Sequence, residues 1–241
     1  MTLQRAPNNR MLTFYRSGPM PCPYLPGRIE QQLFTELAGN GVQDVFEQLS
    51  LGGFRRSHHI AYRPACRGCS ACIPVRVAVD DFDMTRSWRR ILRTNEDLMA
   101  RSVGKGITDE QYRLFQKYVC SRHGDGDMAR MSRRDYATMV VSSPVETEMV
   151  EFRDIGGDLA AACLMDRLSD GLSAVYSYFD PDEPKRSLGT HVILWMVQEA
   201  RRLGLPYVYL GFWIEKSPKM AYKGRFRPLE AFDQNGWRRI R

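Results

Sequence analysis

The chain has 241 residues, 43% of them hydrophobic and 26% charged, enough to bury a core in one large domain or two small intertwined ones. No apolar run of about 18 residues occurs, and the opening MTLQRAPNNR lacks the apolar stretch of a signal peptide, so the reading is of a soluble, cytoplasmic protein with no membrane partner. The net charge of +7 is uneven: residues 1–120 hold 17 Lys and Arg against 11 Asp and Glu, residues 216–241 hold 8 against 2, and the acids gather between, a pattern that suggests a polyanion gripped at two places.

Residues 1–27 end in PMPCPYLPG, whose prolines imply an extended, turn-rich segment around Cys22. From Ile29, the spacing of Leu33, Phe34 and Leu37 predicts a helix stopped near Gly39, and Val42, Val45, Phe46 and Leu49 predict another over 42–51. FRRSHHIAYRP reads as a strand, PACRGCSAC as a loop and IPVRVAV as a half-buried strand. TRSWRRILRTNEDLMAR predicts a helix over 85–101 with a buried stripe of Trp88, Ile91, Leu92 and Leu98. Helices follow at about 108–122 and 132–141, separated by a Gly/Asp loop at 124–131. Strands are predicted at 146–153, 158–168 and 172–179, then a helix at 190–203 and an apolar strand in LPYVYLGFWI; the basic, aromatic SPKMAYKGRFRP stops at Pro228.

An antiparallel meander followed by loop, helix and strand is the order of an N-acetyltransferase-type acyltransferase. The fold class is therefore α+β, with a mixed or antiparallel sheet flanked by helices and an N-terminal region carrying the cysteine loop. The domains expected are 1–84 with that loop, a basic linking helix over 85–104, and the acyltransferase-like domain over 105–241. In that architecture the loop before the central helix, here KRSLGT, turns backbone N–H groups toward an anion, with Ser187 and Thr190 able to cap and Gly189 allowing close approach.

Three features carry chemistry. Cys66, Cys69 and Cys72 stand two residues apart, as thiolates sharing one metal do, and Cys22 is the candidate fourth ligand; four soft donors suit zinc or an iron–sulfur cluster. In YSYFDP, alternation puts Tyr176, Tyr178 and Asp180 on one face, able to orient an amine and take its proton, or simply to pack and turn. In KMAYKGRFR, charges interleave with Tyr222 and Phe226 as RNA binding requires, though an exposed basic tail gives the same pattern. No P-loop, HExxH helix or Ser/His/Asp order occurs, so an already activated acyl donor fits better than ATP-dependent ligation.

CPYLPGR, GGFRRSHHIAYRPACRGCSACIPVRV, RSWRRILRTNEDL and the long block from SYFDPDEPKRSLGTHV to KMAYKGRFRPLE together resemble the arginyl-tRNA–protein transferase family, and most closely its short bacterial branch, the aspartate/glutamate leucyltransferases. The resemblance spans roughly residues 14–232. It implies transfer of leucine from Leu-tRNA to the α-amine of proteins beginning with Asp or Glu, which marks them for the N-degron pathway, and it implies no cofactor required for the transfer. Eukaryotic relatives use Arg-tRNA and carry more than one cysteine in the first motif, where this chain has only Cys22. Within those matching blocks, Arg55, Arg56, Ser57 and Arg76 are candidates for the acidic acceptor. Arg89, Arg90, Arg93, Lys219, Tyr222, Lys223, Arg225 and Arg227 are candidates for tRNA. Tyr178 and Asp180 are candidates for handling the amine, and Tyr176, Ser187 and Gly189 for binding substrate. The rivals are an arginyl donor, an acyl-CoA N-acyltransferase and a non-catalytic RNA-binding protein with a zinc knuckle.

Overall fold

The computed structural model describes residues 11–123 and 126–240. The opening decapeptide and the first two residues of the loop expected at 124–131 lie outside them. The chain forms β1 (Tyr15–Arg16), β2 (Met20–Pro21), β3 (Ile29–Glu30), β4 (Gln32–Glu36), α1 (Val42–Leu51), β5 (Arg55–Ser57), β6 (Ile60–Pro64), β7 (Ile73–Ala78), α2 (Arg86–Thr94), β8 (Met99–Ser102), α3 (Asp109–His123) and α4 (Arg133–Val141). Then come β9 (Thr147–Arg153), β10 (Leu159–Leu168), β11 (Gly171–Phe179), α5 (Leu188–Arg202), β12 (Tyr207–Trp213), β13 (Leu229–Asp233) and β14 (Gly236–Ile240).

A large sheet runs β14-β13-β7-β12-β11-β10-β9-β8, with β11 and β12 parallel and every other neighbour antiparallel. A small sheet runs β1-β4-β6-β5. This is the α+β class, and the meander β9-β10-β11 followed by α5 and β12 has the acyltransferase order. Both faces of the large sheet are covered. Along β10, Ala161, Cys163 and Met165 join the core under α5 and α2, while Ala162 and Leu164 join Phe115, Val119, Tyr136 and Tyr178 under α3 and α4. Burial on both faces explains why β10 reads as a nearly continuous apolar run.

Four elements differ from the sequence reading. Residues 29–36 form strands, because β4 pairs with β1 and β6 and that pairing outweighs a helical spacing of three apolar side chains. FRRSHHIAYRP is a hairpin, turning at His58 with φ 52°. The helix expected over 85–101 stops at Thr94: Asn95, capping it, sends its carboxamide to Ile91 O and Arg186 O, and Met99–Ser102 becomes the edge strand β8. After Pro228 the chain returns as the hairpin β13–β14. The boundary placed at residue 84 and the linking segment 85–104 do not divide the sheets, since β7 sits between β12 and β13 and β8 closes the opposite edge.

The small sheet is fastened to the large one by a buried ion pair. Arg56 Nε and Nη2 donate to Asp166 Oδ2 and Oδ1 at 2.8 and 2.7 Å, Nη1 donates to His58 O at 2.9 Å, and Thr147 Oγ1 donates to Asp166 Oδ1 at 2.6 Å. Bidentate geometry and these added bonds answer the desolvation of both charges. Asp166→Ala strands the guanidinium and should cost about 3–5 kcal/mol in denaturant unfolding, while the double change Arg56→Met with Asp166→Leu should recover most of it.

Candidate active site

The parallel strands β11 and β12 are hydrogen-bonded only where Gly171, Leu172 and Ser173 face Tyr207, Val208 and Tyr209. Beyond that they part. β11 carries an irregularity against β10 that leaves Val175 without a β10 partner, and β12 carries one against β7 that skips Leu210 just before Gly211, where φ is 72°. The Arg55 guanidinium reaches from β5 into the gap. Its Nη2 donates to Ala174 O and Val175 O at 2.9 and 3.0 Å, taking the place of ladder donors, and it lies 6.0 Å from the Phe212 ring. A Cβ on Gly211 would overlap that guanidinium. Arg55 Nε and Nη1 bond no other group among the described residues, so donors remain for a ligand.

Tyrosines gather around the same gap. The Tyr176 hydroxyl is buried with no hydrogen-bond partner among the described residues, and burial raises its pKa, with Tyr118 of α3 adding to the shift. Tyr222 is 42% exposed as a residue, and the burial it does have pushes its pKa up to about 12, with Tyr118 raising it further and Arg55 opposing. Arg55 and Tyr222, predicted from separate blocks, are therefore neighbours, and Tyr176 follows Val175, whose carbonyl Arg55 holds. Tyr118 and Gly211 are additions. Gly211 carried a signal, because a glycine inside an apolar strand commonly marks a bulge or a close approach.

Other predicted residues lie elsewhere. Tyr178 is buried under α3 and α4 and shares a 2.6 Å hydrogen bond with Tyr136, so it is a core tyrosine and not free to handle an amine. Asp180 Oδ1 accepts from Lys117 Nζ at 2.6 Å and from the Asp182 N–H at 2.9 Å, so the carboxylate expected to take a proton is paired with a lysine. Arg56 is spent on Asp166. Arg76 is buried as well: it donates to Glu230 at 2.8 Å and to the Tyr209 hydroxyl at 3.0 Å, with Tyr207 and Trp237 rings 3.4 and 4.4 Å from its Cζ. Neither guanidinium can also meet an acidic acceptor. Ser57 Oγ is 3.1 Å from His58 Nδ1.

The KRSLGT loop is closed. Ser187 opens α5 at φ 52° without a side-chain cap bond. A Cβ on Gly189 would stand 2.7 Å from Phe179 Cε1, so the close approach it permits is used by a ring rather than an anion. Arg186 is engaged by Asn95 at 2.9 Å and by Asp97 at 2.5 Å.

The basic segments meet. Trp88 of α2 stacks on Phe226 at 5.1 Å and 3°, and Arg225 Cζ lies 5.0 Å from the Trp88 ring. This puts Arg89, Arg90 and Arg93, all exposed, beside the exposed Lys219, Arg225 and Arg227. Lys223 departs from the reading: it is 5% exposed and donates to Phe212 O at 2.7 Å, out of reach of phosphates on that surface.

Cys22, Cys66, Cys69 and Cys72 are half-buried free thiols sharing one neighbourhood. Burial first, then Cys22, Cys66 and Cys69, push the Cys72 thiol up to about 12. Cys66 Sγ accepts from the Gln31 N–H at 3.4 Å. Among the described residues, no group of three or more Cys, His, Asp or Glu is arranged to hold a metal ion. No step in the proposed transfer passes through a metal at these cysteines.

Two family models, described as Arginine-tRNA-protein transferase, C terminus and N terminus, match residues 110–233 and 20–90. The chain is 56% identical to the Aspartate/glutamate leucyltransferase of Paramagnetospirillum magneticum, over 97% of this chain and 96% of that protein, and 51% identical to the one from Rhodospirillum rubrum, over 98% and 96%. The chain belongs to the arginine-tRNA–protein transferase family. Among solved structures, FemX overlaps 75% of this chain and 62% of its own at 9% identity and a TM-score of 0.44, a likeness too slight to weigh. The gap draws on both family segments: Arg55 lies in the first, and Val175, Tyr176, Gly211 and Tyr222 lie in the second.

Gly211→Ala should lower the thermal unfolding midpoint by the equivalent of about 1–3 kcal/mol, since a left-handed residue and a steric overlap are combined. Adding Arg55→Ala should recover the steric share only; full recovery would show that the backbone there is unstrained.

Proposed function

We propose that this chain moves leucine from Leu-tRNA to the α-amine of proteins beginning with Asp or Glu, giving products that the N-degron pathway would degrade. The observation that carries the reading is the parted β11–β12 pair with Arg55 in the gap, in a chain 50–56% identical to several proteins named aspartate/glutamate leucyltransferase. An aminoacyl ester is already activated, so the work left to the protein is to hold two substrates and manage one proton. Arg55 is the acceptor-binding candidate whose guanidinium has no carboxylate partner among the described residues, and its remaining donors suit the acidic side chain. The exposed cations of α2 and of residues 219–227 form one surface for tRNA phosphates, with Tyr222 at its inner border able to stack an unpaired base.

The acyl-CoA reading loses support at the loop before α5, where Phe179 fills the space over Gly189 and Arg186 is bound by Asn95 and Asp97. No described helix is long and apolar enough to cross a membrane.

An Asp-starting reporter offered Leu-tRNA and Arg-tRNA separately should be labelled from Leu-tRNA; labelling from Arg-tRNA alone would sink the leucyl reading. Arg89→Ala with Arg90→Ala should weaken tRNA binding and lower the slope of log affinity against log salt by about 1.5. An unchanged slope would remove α2 from the tRNA surface.

A further inference from the structure

Where two parallel strands part, the carbonyls that lose ladder partners need other donors. On β11, Arg55 supplies them. On β12, the Phe212 carbonyl accepts from Lys223 Nζ at 2.7 Å. Lys223 sits in the short 3-10 turn Ala221–Arg225, which packs against β12, and it is buried there. Among the described residues no carboxylate forms an ion pair with it, and the charged group acting on it is another cation, Arg55. Its chain neighbour Tyr222 borders the gap, and Phe212 and Trp213 of β12 bring no charge.

Burying an ammonium beside a guanidinium is costly, and a methionine would fill the same volume without that cost. A lone carbonyl can be satisfied by far cheaper donors. A buried lysine of this kind relieves its situation by shedding its proton, which makes it a base rather than a cation.

We propose that Lys223 is the proton acceptor of the transfer, its amine held on the Phe212 carbonyl at the β12 wall of the gap. The inference rests on the aminoacyl-transfer reading above. The α-amine of the target forms a C–N bond to the ester carbonyl, and the C–O bond to the tRNA ribose breaks. The proton released by the amine passes to Lys223 Nζ and then to the departing ribose oxygen, which restores the neutral lysine. The assignment also fills the role left open by Asp180, which is held by Lys117.

Burial, with Arg55 adding to it, lowers the Lys223 pKa well below the ordinary lysine range. A protonated lysine cannot accept, so turnover falls as pH drops through that lowered pKa and is full above it.

The test uses the full chain, Leu-tRNA and an Asp-starting peptide across a pH series. Lys223→Arg keeps a basic donor at this position but cannot give up its proton. It should lower kcat by at least about 100-fold and leave only the acid limb that belongs to the peptide's own α-amine, while peptide KM and tRNA affinity stay within about threefold. Lys223→Ala should regain activity with added ethylamine, in step with the free-base concentration. Lys223→Arg turning over within about threefold of the unaltered chain would overturn the proposal. So would a tRNA-binding Lys223→Ala chain that ethylamine leaves inactive. If the unaltered chain transfers neither leucine nor arginine, the transferase reading fails and carries this one with it.

Discussion

The bidentate Arg56–Asp166 pair fixes the relation between the two sheets, and the candidate site follows from it. β5 is three residues long, and consecutive side chains of a strand point to opposite faces. Once Arg56 is drawn inward to Asp166, Arg55 has to point the other way, into the gap between β11 and β12. One arginine is consumed so that its neighbour can be aimed. The gap itself needs two backbone irregularities, at Val175 and at Gly211, and both lie where Arg55 touches the strands.

The same economy governs the charge. The chain carries +7, yet many of its arginines are committed inside it: Arg56 to Asp166, Arg76 to Glu230 within a ring of aromatic side chains, Arg153 to Glu110 and Glu151, Arg186 to Asp97. What stays exposed as one surface is the α2 face and the segment 219–227, held together by the Arg225–Trp88–Phe226 stack. Trp88 and Phe226 stack nearly parallel, and the Arg225 guanidinium lies against the Trp88 ring. A polyanion laid there would relieve the mutual repulsion of these cations, which is why the surface suits tRNA better than it suits solvent alone.

Much of the fold was legible. Alternation marked β7, helical spacing marked α3 and α5, glycine-containing turns marked off the meander β9–β11, and an apolar run marked β12. Residues 29–36 were misread because three apolar side chains fit either period and only pairing with β1 and β6 decides between them. The Asn235-Gly236 step was a hairpin signal for β13–β14 that the stop at Pro228 concealed. The site was legible in composition but not in commitment. FRRS showed two adjacent arginines, and nothing in the sequence says that one finds a buried aspartate 110 positions away. Tyr178 and Tyr176 share a strand face, yet a distant Tyr136 claims the first and leaves the second unpaired. KMAYKGRFR reads as uniformly basic, and only the packing of its 3-10 turn turns Lys223 inward. Hydrogen-bond partners far apart in sequence are what pattern reading lacks.

The central claim is that both substrates meet at the parted β11–β12 pair. The most direct measurement is a crystal structure with a non-hydrolysable 3′-leucylamido-adenosine, the end of Leu-tRNA with its ester replaced by an amide. The account predicts density for the leucyl group between β11 and β12, in contact with Arg55, Tyr176 and Tyr222. Density on another face of the sheet, with the gap still closed over Arg55, would contradict it.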